Sequence, residues 1–455
     1  MAAANTTEKT FLGHPRPLFT LFLTEMWERF SYYGMRALLV LYMTKYLFVA
    51  VQNGTEVWGY SAFKNFLEMF YGPMTIQAMS SQIYGLYTGF VYFTPFFGGI
   101  IADRYWGQRR SVYVGGILMA IGHFLMAVES LFFPALVFLM IGNGFFKPNI
   151  STQVGGLYPQ GDERRDRAYT LFYMGINLGA FFSPLVCGTL GQKVGWHWGF
   201  GAAGVGMLIG LVTYHFGGKN LPQNTHKESM QEIEARAKTP LTRSEWTRTW
   251  ALIFLCGLTI FYWGVYEQQG NTMQLWADQS TDWNFFGFEI PSTWYQSFNP
   301  MIIFFFAPIM DRVWAWQAKR KNEPSTTMKM ALGCFLAAVA LIVMYVAAKT
   351  VGGGKGNVMW LLGSTFMLTI GELYLSPIGL SLVTKVSPAK IVSMMMGVWF
   401  LASFFGNYVA GVIGMYYDKI PKNEFFLFLA VLAFIPGVLF VLTHKKLTES
   451  LGKDI

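Results

Sequence analysis

Charged residues are scarce in this chain of 455 residues: Asp, Glu, Lys and Arg make up 13% of it, whereas 53% is hydrophobic. A soluble domain carries about 25% charged residues, so water could not cover this much apolar surface, whereas lipid could. Cysteine is also rare. The three cysteines, Cys187, Cys256 and Cys334, each lie inside an apolar run and lack the spacing of a metal or redox site, so we expect them to be structural.

Several function classes find no support in the sequence. No zinc-ligand cluster, nucleophile elbow or phosphate loop is present, so we expect neither an enzyme nor a metal site. The net charge of +9 does not indicate nucleic-acid binding, because the Lys and Arg residues lie mostly in short loops between apolar runs. The polar N-terminal segment lacks a signal-peptide pattern, so the first apolar run is expected to remain in the mature protein.

The apolar residues are grouped in runs long enough to cross a bilayer as helices. These runs predict an all-α membrane protein with twelve spans in two sets of six. The predicted spans are Pro17–Phe48, Ser80–Ala102, Ser111–Val128, Phe132–Val154, Arg167–Leu190, Trp196–Phe216, Glu245–Trp276, Pro291–Trp316, Met328–Ala348, Asn357–Lys385, Ala389–Tyr416 and Glu424–Thr443.

This division predicts an N-terminal six-helix bundle over residues 1–216, a linker over 217–244 and a C-terminal six-helix bundle over 245–455. The linker is expected to be a cytoplasmic tether, within which residues 226–238 could form a short surface helix. Of the 34 Lys and Arg residues, 24 fall in segments on one side of the predicted spans and seven on the other. Because positive charge favours the cytoplasmic side, both termini are predicted to be cytoplasmic.

A local motif supports the major facilitator architecture. The segment GGIIADRYWGQRR, Gly98–Arg110, follows the second predicted span and resembles the loop between helices two and three of that superfamily. A weaker copy, APIMDR, Ala307–Arg312, occupies the corresponding place in the second half. Such internal repeats, with a binding site between them at the midplane, are typical of secondary transporters.

Seven ionisable residues are candidates for positions near the bilayer centre, where each charge costs about 2.5–3.5 kcal/mol unless it is paired or solvated in a cavity. They are Glu25, Glu28, Arg29, Arg36, Lys147, Glu267 and Glu372. The first helix holds four of them, and spacings of three and four residues place these with Tyr32 and Tyr33 on one broad polar face. If Arg29 exchanges partners, the carboxyl groups can take up and release a proton. A static ion-pair cluster that only orients helices is the alternative.

The other charges indicate a substrate with two opposite charges. Lys147, next to Pro148, suggests a cavity wall, with snorkelling to the interface as the alternative. Arg36 and Lys147 could hold a carboxylate and Glu372 an ammonium. Groups that could add hydrogen bonds or apolar and cation–π surfaces are Asn177, Asn299, Tyr32, Tyr33, Tyr92, Trp263 and Trp399.

Two specific motifs are ExxERFxYYG in the first helix, Glu25–Gly34, and YTLFYMGINLGAF, Tyr169–Phe181. With these motifs the chain resembles the proton-dependent oligopeptide transporter family, also called the peptide transporter family, and the resemblance covers essentially the whole chain. Supporting matches are FFKPN around Lys147, WGVYEQ around Glu267, SFNP around Asn299 and GELYLSPIGL around Glu372.

The resemblance implies a proton-coupled symporter that imports di- and tripeptides by alternating access, driven by the proton gradient without a cofactor. It implies a proton-coupling role for Glu25, Glu28, Arg29, Lys147 and Glu267. It implies peptide binding by Arg36, Tyr32, Tyr92, Lys147, Asn177, Asn299, Glu372, Ser376 and Trp399. Gating is expected from two pairs, Arg36 with Glu267 and Lys147 with Glu372.

One feature departs from many bacterial members of the family, which carry two extra helices between the halves. The linker here leaves no room for them, so the chain resembles a minimal twelve-helix member. We expect a monomer in a bacterial inner membrane. The alternative function is a major-facilitator carrier of another anionic or zwitterionic solute.

Overall fold

The computed structural model describes residues 10–159, 162–221, 240–388 and 390–451. Long helices dominate these residues. The helices are α1 Arg16–Tyr42, α2 Phe48–Gln52, α3 Tyr60–Tyr71, α4 Ile76–Ile101, α5 Gln108–Leu125, α6 Phe132–Gly156, α7 Arg164–Ser183, α8 Trp196–Gly217, α9 Arg243–Tyr266, α10 Thr272–Gln279, α11 Phe298–Lys319, α12 Thr326–Val351, α13 Met359–Val386, α14 Val392–Gly414 and α15 Lys422–Leu451.

Short irregular turns extend or join several of these helices. π-helical turns extend three of them. These turns are Met43–Leu47 after α1, Ala102–Trp106 after α4, and Pro184–Gly188 and Leu190–Val194 after α7. Tighter 3₁₀ turns lie at Glu129–Leu131, Gly218–Asn220, Glu267–Gly270 and Ser292–Ser297. The strands have two residues each: β1 Thr10–Phe11, β2 His14–Pro15, β3 Thr281–Asp282, β4 Asn284–Phe285, β5 Phe288–Glu289 and β6 Gly356–Asn357. Strand pairs β1–β2 and β4–β5 are antiparallel, and β3–β6 is parallel.

Ten helical stretches among the described residues are long and apolar enough to cross a membrane. The predicted membrane class is therefore confirmed. The third and eighth predicted spans are also helices, α5 and α11, but they are not among the ten. Arg109 and Arg110 in α5, and Asp311 and Arg312 in α11, lower the apolar character of these two helices. The count of twelve spans remains a prediction.

The structure differs from the predicted spans at three places. The seventh span is interrupted, because α9 ends at Tyr266 and a 3₁₀ turn over Glu267–Gly270 precedes α10. The helix of the eighth span begins at Phe298 rather than Pro291, since Ser292–Ser297 forms a 3₁₀ turn. The amphipathic helix α3 lies between the first two spans, where the sequence analysis predicts no helix. The predicted linker helix lies outside the described residues.

By its internal contacts the chain divides into two compact units. Unit 1 comprises Met1–Leu38, Glu56–Gly59 and Thr94–Lys227. Unit 2 comprises Leu39–Thr55, Tyr60–Phe93 and Glu228–Ile455. These units are defined by the density of contacts within each of them, and they do not test the predicted bundles. The two six-helix bundles, with their boundaries at 216 and 245, remain a prediction.

In unit 1, the hairpin of strands β1 and β2 contacts the segment that connects α6 with α7. His14 in β2 shares a hydrogen bond of 2.7 Å with the Tyr158 hydroxyl, and Arg164 donates to the Gly13 carbonyl over 3.3 Å. Arg164 also binds Asp162 and holds the pKa of that carboxyl below its usual range. The N-terminal hairpin therefore binds residues near the end of α6 and at the start of α7.

Close approach between α4 and α6 depends on glycine. A Cβ atom added at Gly98 would overlap the carbonyl oxygen of Gly144 on α6. At the neighbouring Gly99 the nearest atom to an added Cβ is Pro148 Cβ, at 3.9 Å, which is ordinary contact. Of the two glycines that open the motif, only Gly98 is therefore required by this helix contact.

In unit 2, helix α12 packs against α13 and α15, and α9 packs against α14. A neighbouring helix stabilises the 3₁₀ turn that interrupts the span after α9. Gln268 Nε2 in this turn donates a hydrogen bond to the Ala410 carbonyl of α14 over 2.9 Å. Ser81 of α4 donates to the Asn271 side chain over 2.8 Å. These bonds give partners to polar side chains of the interrupted segment, which water cannot reach within a membrane.

We expect Gly98→Ala to lower the free energy of unfolding by about 1–3 kcal/mol, because the added methyl group must push α4 and α6 apart. Gly99→Ala is the matched control and should leave stability unchanged or slightly raised, since alanine is the better helix former. Thermal unfolding of both variants in detergent, followed by tryptophan fluorescence, measures the difference. Equal melting temperatures for the two variants would contradict this packing argument.

Candidate functional site

The charged motif of α1 forms a compact ion-pair cluster. Arg29 lies four residues after Glu25, one helical turn away, and its Nε is 3.3 Å from Glu25 Oε1. The same guanidinium holds Glu28 in a two-pronged contact, in which Nε reaches Oε2 and Nη2 donates to Oε1 over 2.6 Å. All three side chains are at most 3% exposed. One arginine thus serves two buried carboxylates.

Helix α6 completes this cluster from the opposite side. Arg29 Nη2 donates to the Asn143 side-chain oxygen over 3.3 Å. Lys147, one turn further along α6, interacts electrostatically with both carboxylates. The cluster therefore joins two negative groups to two positive ones, and it draws on helices more than 110 residues apart in sequence. The predicted partnership of Lys147 with the α1 motif corresponds to this arrangement.

Two glycines allow the neighbouring helices to pack closely on α1. At Gly179 of α7, an added Cβ would overlap the Met26 carbonyl oxygen, and it would lie 3.1 Å from Arg29 Cβ. At Gly206 of α8, an added Cβ would lie 2.6 Å from the ring of Phe30. The apolar residues of α1 that alternate with the charged ones are therefore in tight contact with α7 and α8.

The remaining predicted residues of unit 1 lie near the C-terminal half of α1 or on α7. Arg29 lies over the Tyr32 ring at 5.1 Å, and Arg36 lies over the Tyr33 ring at 5.9 Å. These cation–π contacts stabilise the positive charges of both arginine side chains. Asn177 is buried and donates to the Tyr173 carbonyl of its own helix over 2.9 Å.

A second polar cluster lies in unit 2 around Glu372 of α13. Glu372 Oε2 accepts hydrogen bonds from the Tyr266 hydroxyl over 2.6 Å and from Asn299 Nδ2 over 2.9 Å. Asn299 Nδ2 also lies 3.0 Å from Thr369 Oγ1, which is on α13 one turn before Glu372. Three helices, α9, α11 and α13, therefore fix the orientation of this carboxylate.

Aromatic side chains pack against Tyr266, which binds this carboxylate, and against the helix that carries Glu372. Tyr266 stacks on Tyr262 with ring centroids 6.0 Å apart and meets Trp263 edge-on at 5.4 Å. Trp399 of α14 packs against Gly379 of α13, where an added Cβ would overlap the indole ring. Trp263 and Trp399 are both buried within unit 2, so each contributes to packing.

The last three predicted residues also belong to unit 2. Glu267 is 1% exposed and begins the 3₁₀ turn after α9, directly after Tyr266. Ser376 is half-buried on α13, one turn after Glu372. Tyr92 lies near the middle of α4 in the part that packs with unit 2. Tyr92 falls within the predicted N-terminal bundle, which remains a prediction, and its contacts group it with unit 2.

The sequence reasoning missed several partners that the structure assigns. Asn143 binds Arg29, and Tyr266 donates to Glu372. A signal was present for each, since Asn143 lies one helical turn before Lys147 and Tyr266 directly precedes Glu267. A third missed contact in unit 2 is the ion pair between Lys45 and Asp278. Among the described residues, no group of His, Cys, Asp or Glu could hold a metal ion.

Comparison with known proteins gives consistent results. A family model described as POT family matches residues 109–246 and 226–430. The peptide transporter YePEPT of Yersinia enterocolitica is 35% identical over 89% of this chain and 88% of its own length. A di-/tripeptide transporter of Lactococcus lactis subsp. cremoris is 31% identical over 99% of both chains.

A solved structure is also similar. The crystal structure of a peptide transporter POT in complex with sulfate superposes with a TM-score of 0.82 at 31% identity, covering 98% of this chain and 97% of the other. The matched regions of the family model include α6 with Lys147, α9 with Tyr266 and α13 with Glu372. The chain is thus a multi-pass helical membrane protein of the POT family of transporters.

Proposed function

We propose that this protein imports di- and tripeptides together with protons, by alternating access between two six-helix bundles. The relatives are named as peptide and di-/tripeptide transporters, which supports the substrate class. The observation that carries the proton coupling is the single guanidinium of Arg29 shared by Glu25 and Glu28 inside a membrane-spanning helix.

The sharing of Arg29 links proton binding to side-chain movement. When a proton neutralises Glu25 or Glu28, that carboxyl group loses its attraction for Arg29. The guanidinium then depends more on its remaining partners, which include Asn143. Removal of one partner from a buried ion pair costs about 3–5 kcal/mol, so protonation and the position of Arg29 are tightly coupled. Lys147 contributes the charge that balances the second carboxylate.

Recognition of the peptide is proposed to use charges of both signs. Arg36 and Lys147 suit the C-terminal carboxylate of a peptide. Glu372, with its orientation fixed by Tyr266 and Asn299, suits the N-terminal ammonium. Charge-assisted hydrogen bonds of this kind are roughly twice as strong as neutral ones. The other residues proposed to bind peptide are Tyr32, Tyr33, Tyr92, Asn177, Trp263, Ser376 and Trp399.

Further parts of the proposal rest on the sequence. The gating pairs, Arg36 with Glu267 and Lys147 with Glu372, remain predictions, as does the membership of Glu267 in the proton-coupling set. Both termini are proposed to be cytoplasmic, since the Lys and Arg distribution favours that orientation. The protein is proposed to act as a monomer in a bacterial inner membrane, driven by the proton gradient without a cofactor.

The primary test is uptake of labelled dialanine into proteoliposomes, with and without an inwardly directed proton gradient. Accumulation above equilibrium that collapses with an ionophore is the expected result. Downhill flux without accumulation would reject proton coupling but keep the peptide assignment. No peptide flux in folded, reconstituted protein would favour a carrier of another anionic or zwitterionic solute.

We expect Glu28→Gln to abolish gradient-driven accumulation while part of the downhill peptide exchange remains, because the amide keeps the shape of the side chain but cannot exchange a proton. Glu56→Gln is the matched control, since Glu56 is exposed on a loop, and it should accumulate peptide as the parent does. Both transport modes are measured in the same vesicles. Proton-driven accumulation by Glu28→Gln at the parental level would rule out this role.

Glu372→Gln is expected to weaken binding of dialanine by about tenfold to a hundredfold, because a charged hydrogen bond to the ammonium contributes about 1.5–3 kcal/mol. N-acetyldialanine, which has no ammonium, should bind the variant and the parent equally. Tyr266→Phe is the comparison variant, which removes a donor but retains the carboxylate, and it should still prefer the free amino terminus. Competition against labelled dialanine measures all three. Unchanged discrimination in Glu372→Gln would refute the ammonium assignment.

A further inference from the structure

Unit 1 contains a groove of about 790 Å³ between α1, α7 and α8, and nothing in the transport model uses it. All fifteen of its lining residues are apolar or glycine. The residues that define it best are Trp27, Phe30, Phe182, Trp198, Val205 and Ile209. The groove therefore lacks the polar partners that ordered water needs, and water does not suit it as an occupant.

The groove opens on the lateral surface of helices that are long and apolar enough to span a membrane. Phe182 is 47% exposed, Val205 50% and Trp198 66%. These residues belong to the stretches Arg164–Val194 and Trp196–Gly217, which are apolar enough to cross a membrane. The medium at this opening is therefore hydrocarbon. An empty groove would deprive its lining of dispersion contacts, so hydrocarbon filling is favoured.

The length of the groove matches one leaflet. The lining residues on α8 run from Trp198 to Ile209, a rise of about 16 Å at 1.5 Å per residue. One leaflet is half of a hydrocarbon core of about 30 Å, so its thickness is nearly equal to this rise. Trp198, with the exposed Lys193 nearby in sequence, lies at one end, and such residues favour the boundary between hydrocarbon and headgroups.

We propose that this groove binds one acyl chain of a bilayer phospholipid, with its headgroup at the Trp198 end. The chain then contacts the reverse face of the helix that carries the ion-pair cluster. Met26, Trp27 and Phe30 line the groove, and they alternate along α1 with Glu25, Glu28 and Arg29. The lipid thus serves as a packing partner for the helix where two buried carboxylates share an arginine. This proposal requires only that the protein spans a membrane, so it stands apart from the peptide assignment.

Gly201 offers a variant that fills the groove selectively. It lines the groove on α8, and a Cβ added there meets nothing within 4 Å. Gly201→Leu should therefore extend into the groove without displacing the backbone. Gly363 of α13 is the matched control, since it lies in a different span and also has nothing within 4 Å of an added Cβ.

The test uses proteoliposomes of phosphatidylethanolamine and phosphatidylglycerol in which a small fraction of the lipid carries a photoreactive diazirine in one acyl chain. Crosslinked peptides are mapped by mass spectrometry. We expect labelling concentrated on the groove residues of α7 and α8 in the parent and in Gly363→Leu. Gly201→Leu should reduce that labelling by at least about fivefold, because the leucine takes the place of buried methylene groups.

Two results would overturn the proposal. One is labelling spread evenly over the lipid-facing spans of the parent, and the other is groove labelling that Gly201→Leu leaves unchanged. Val205→Phe narrows the opening from an exposed position and replaces Gly201→Leu if that variant fails to fold. Disulfide-linked dimers of the variant Trp198→Cys, together with no lipid adducts on the groove, would assign the groove to a second copy of the chain and would equally reject the acyl-chain site.

Discussion

The contact of one arginine with two carboxylates on α1 is the constraint on which unit 1 depends. Each of these charges would be costly in hydrocarbon, and each is tolerable because the others are within bonding distance. The requirement extends outward from α1. Asn143 and Lys147 must come from α6, and α7 must approach closely enough that only glycine fits at Gly179. The charged motif therefore dictates the packing of helices far from it in sequence.

Unit 2 uses a different solution for Glu372, which is partly buried. Glu372 is held by neutral donors, Tyr266 and Asn299, from two other helices. These donors fix the orientation of the carboxylate. A cluster that contains its own countercharges suits a group that exchanges protons, whereas a carboxylate whose orientation is fixed by donors from two other helices suits one that binds a cationic ligand. The two clusters differ in the way that the two proposed roles require.

The sequence was most informative where chemistry and helical periodicity coincide. The i, i+4 spacing of Glu25 and Arg29 predicts their pairing, and the cost of charge in lipid predicts that these residues cluster. Sequence spacing does not reveal how a helix is rotated about its axis, so it marked Asn143 and Tyr266 as neighbours of charged positions but did not identify the residues that they contact. The break at Glu267–Gly270 lies in a polar stretch, but composition alone does not separate a polar patch within one long helix from an interruption that a neighbouring helix stabilises. Helix α3 escaped because its apolar residues span only twelve positions.

The positions of the three native cysteines have a practical consequence for spectroscopy. Cys187, Cys256 and Cys334 are free thiols, each at most 2% exposed, within the helical interior. Water-soluble maleimide reagents will therefore react slowly with the parent chain. Single cysteines introduced at exposed positions can carry spin labels or fluorophores against a low background. The native sequence is thus a suitable starting point for distance measurements during transport, without prior removal of thiols from the core.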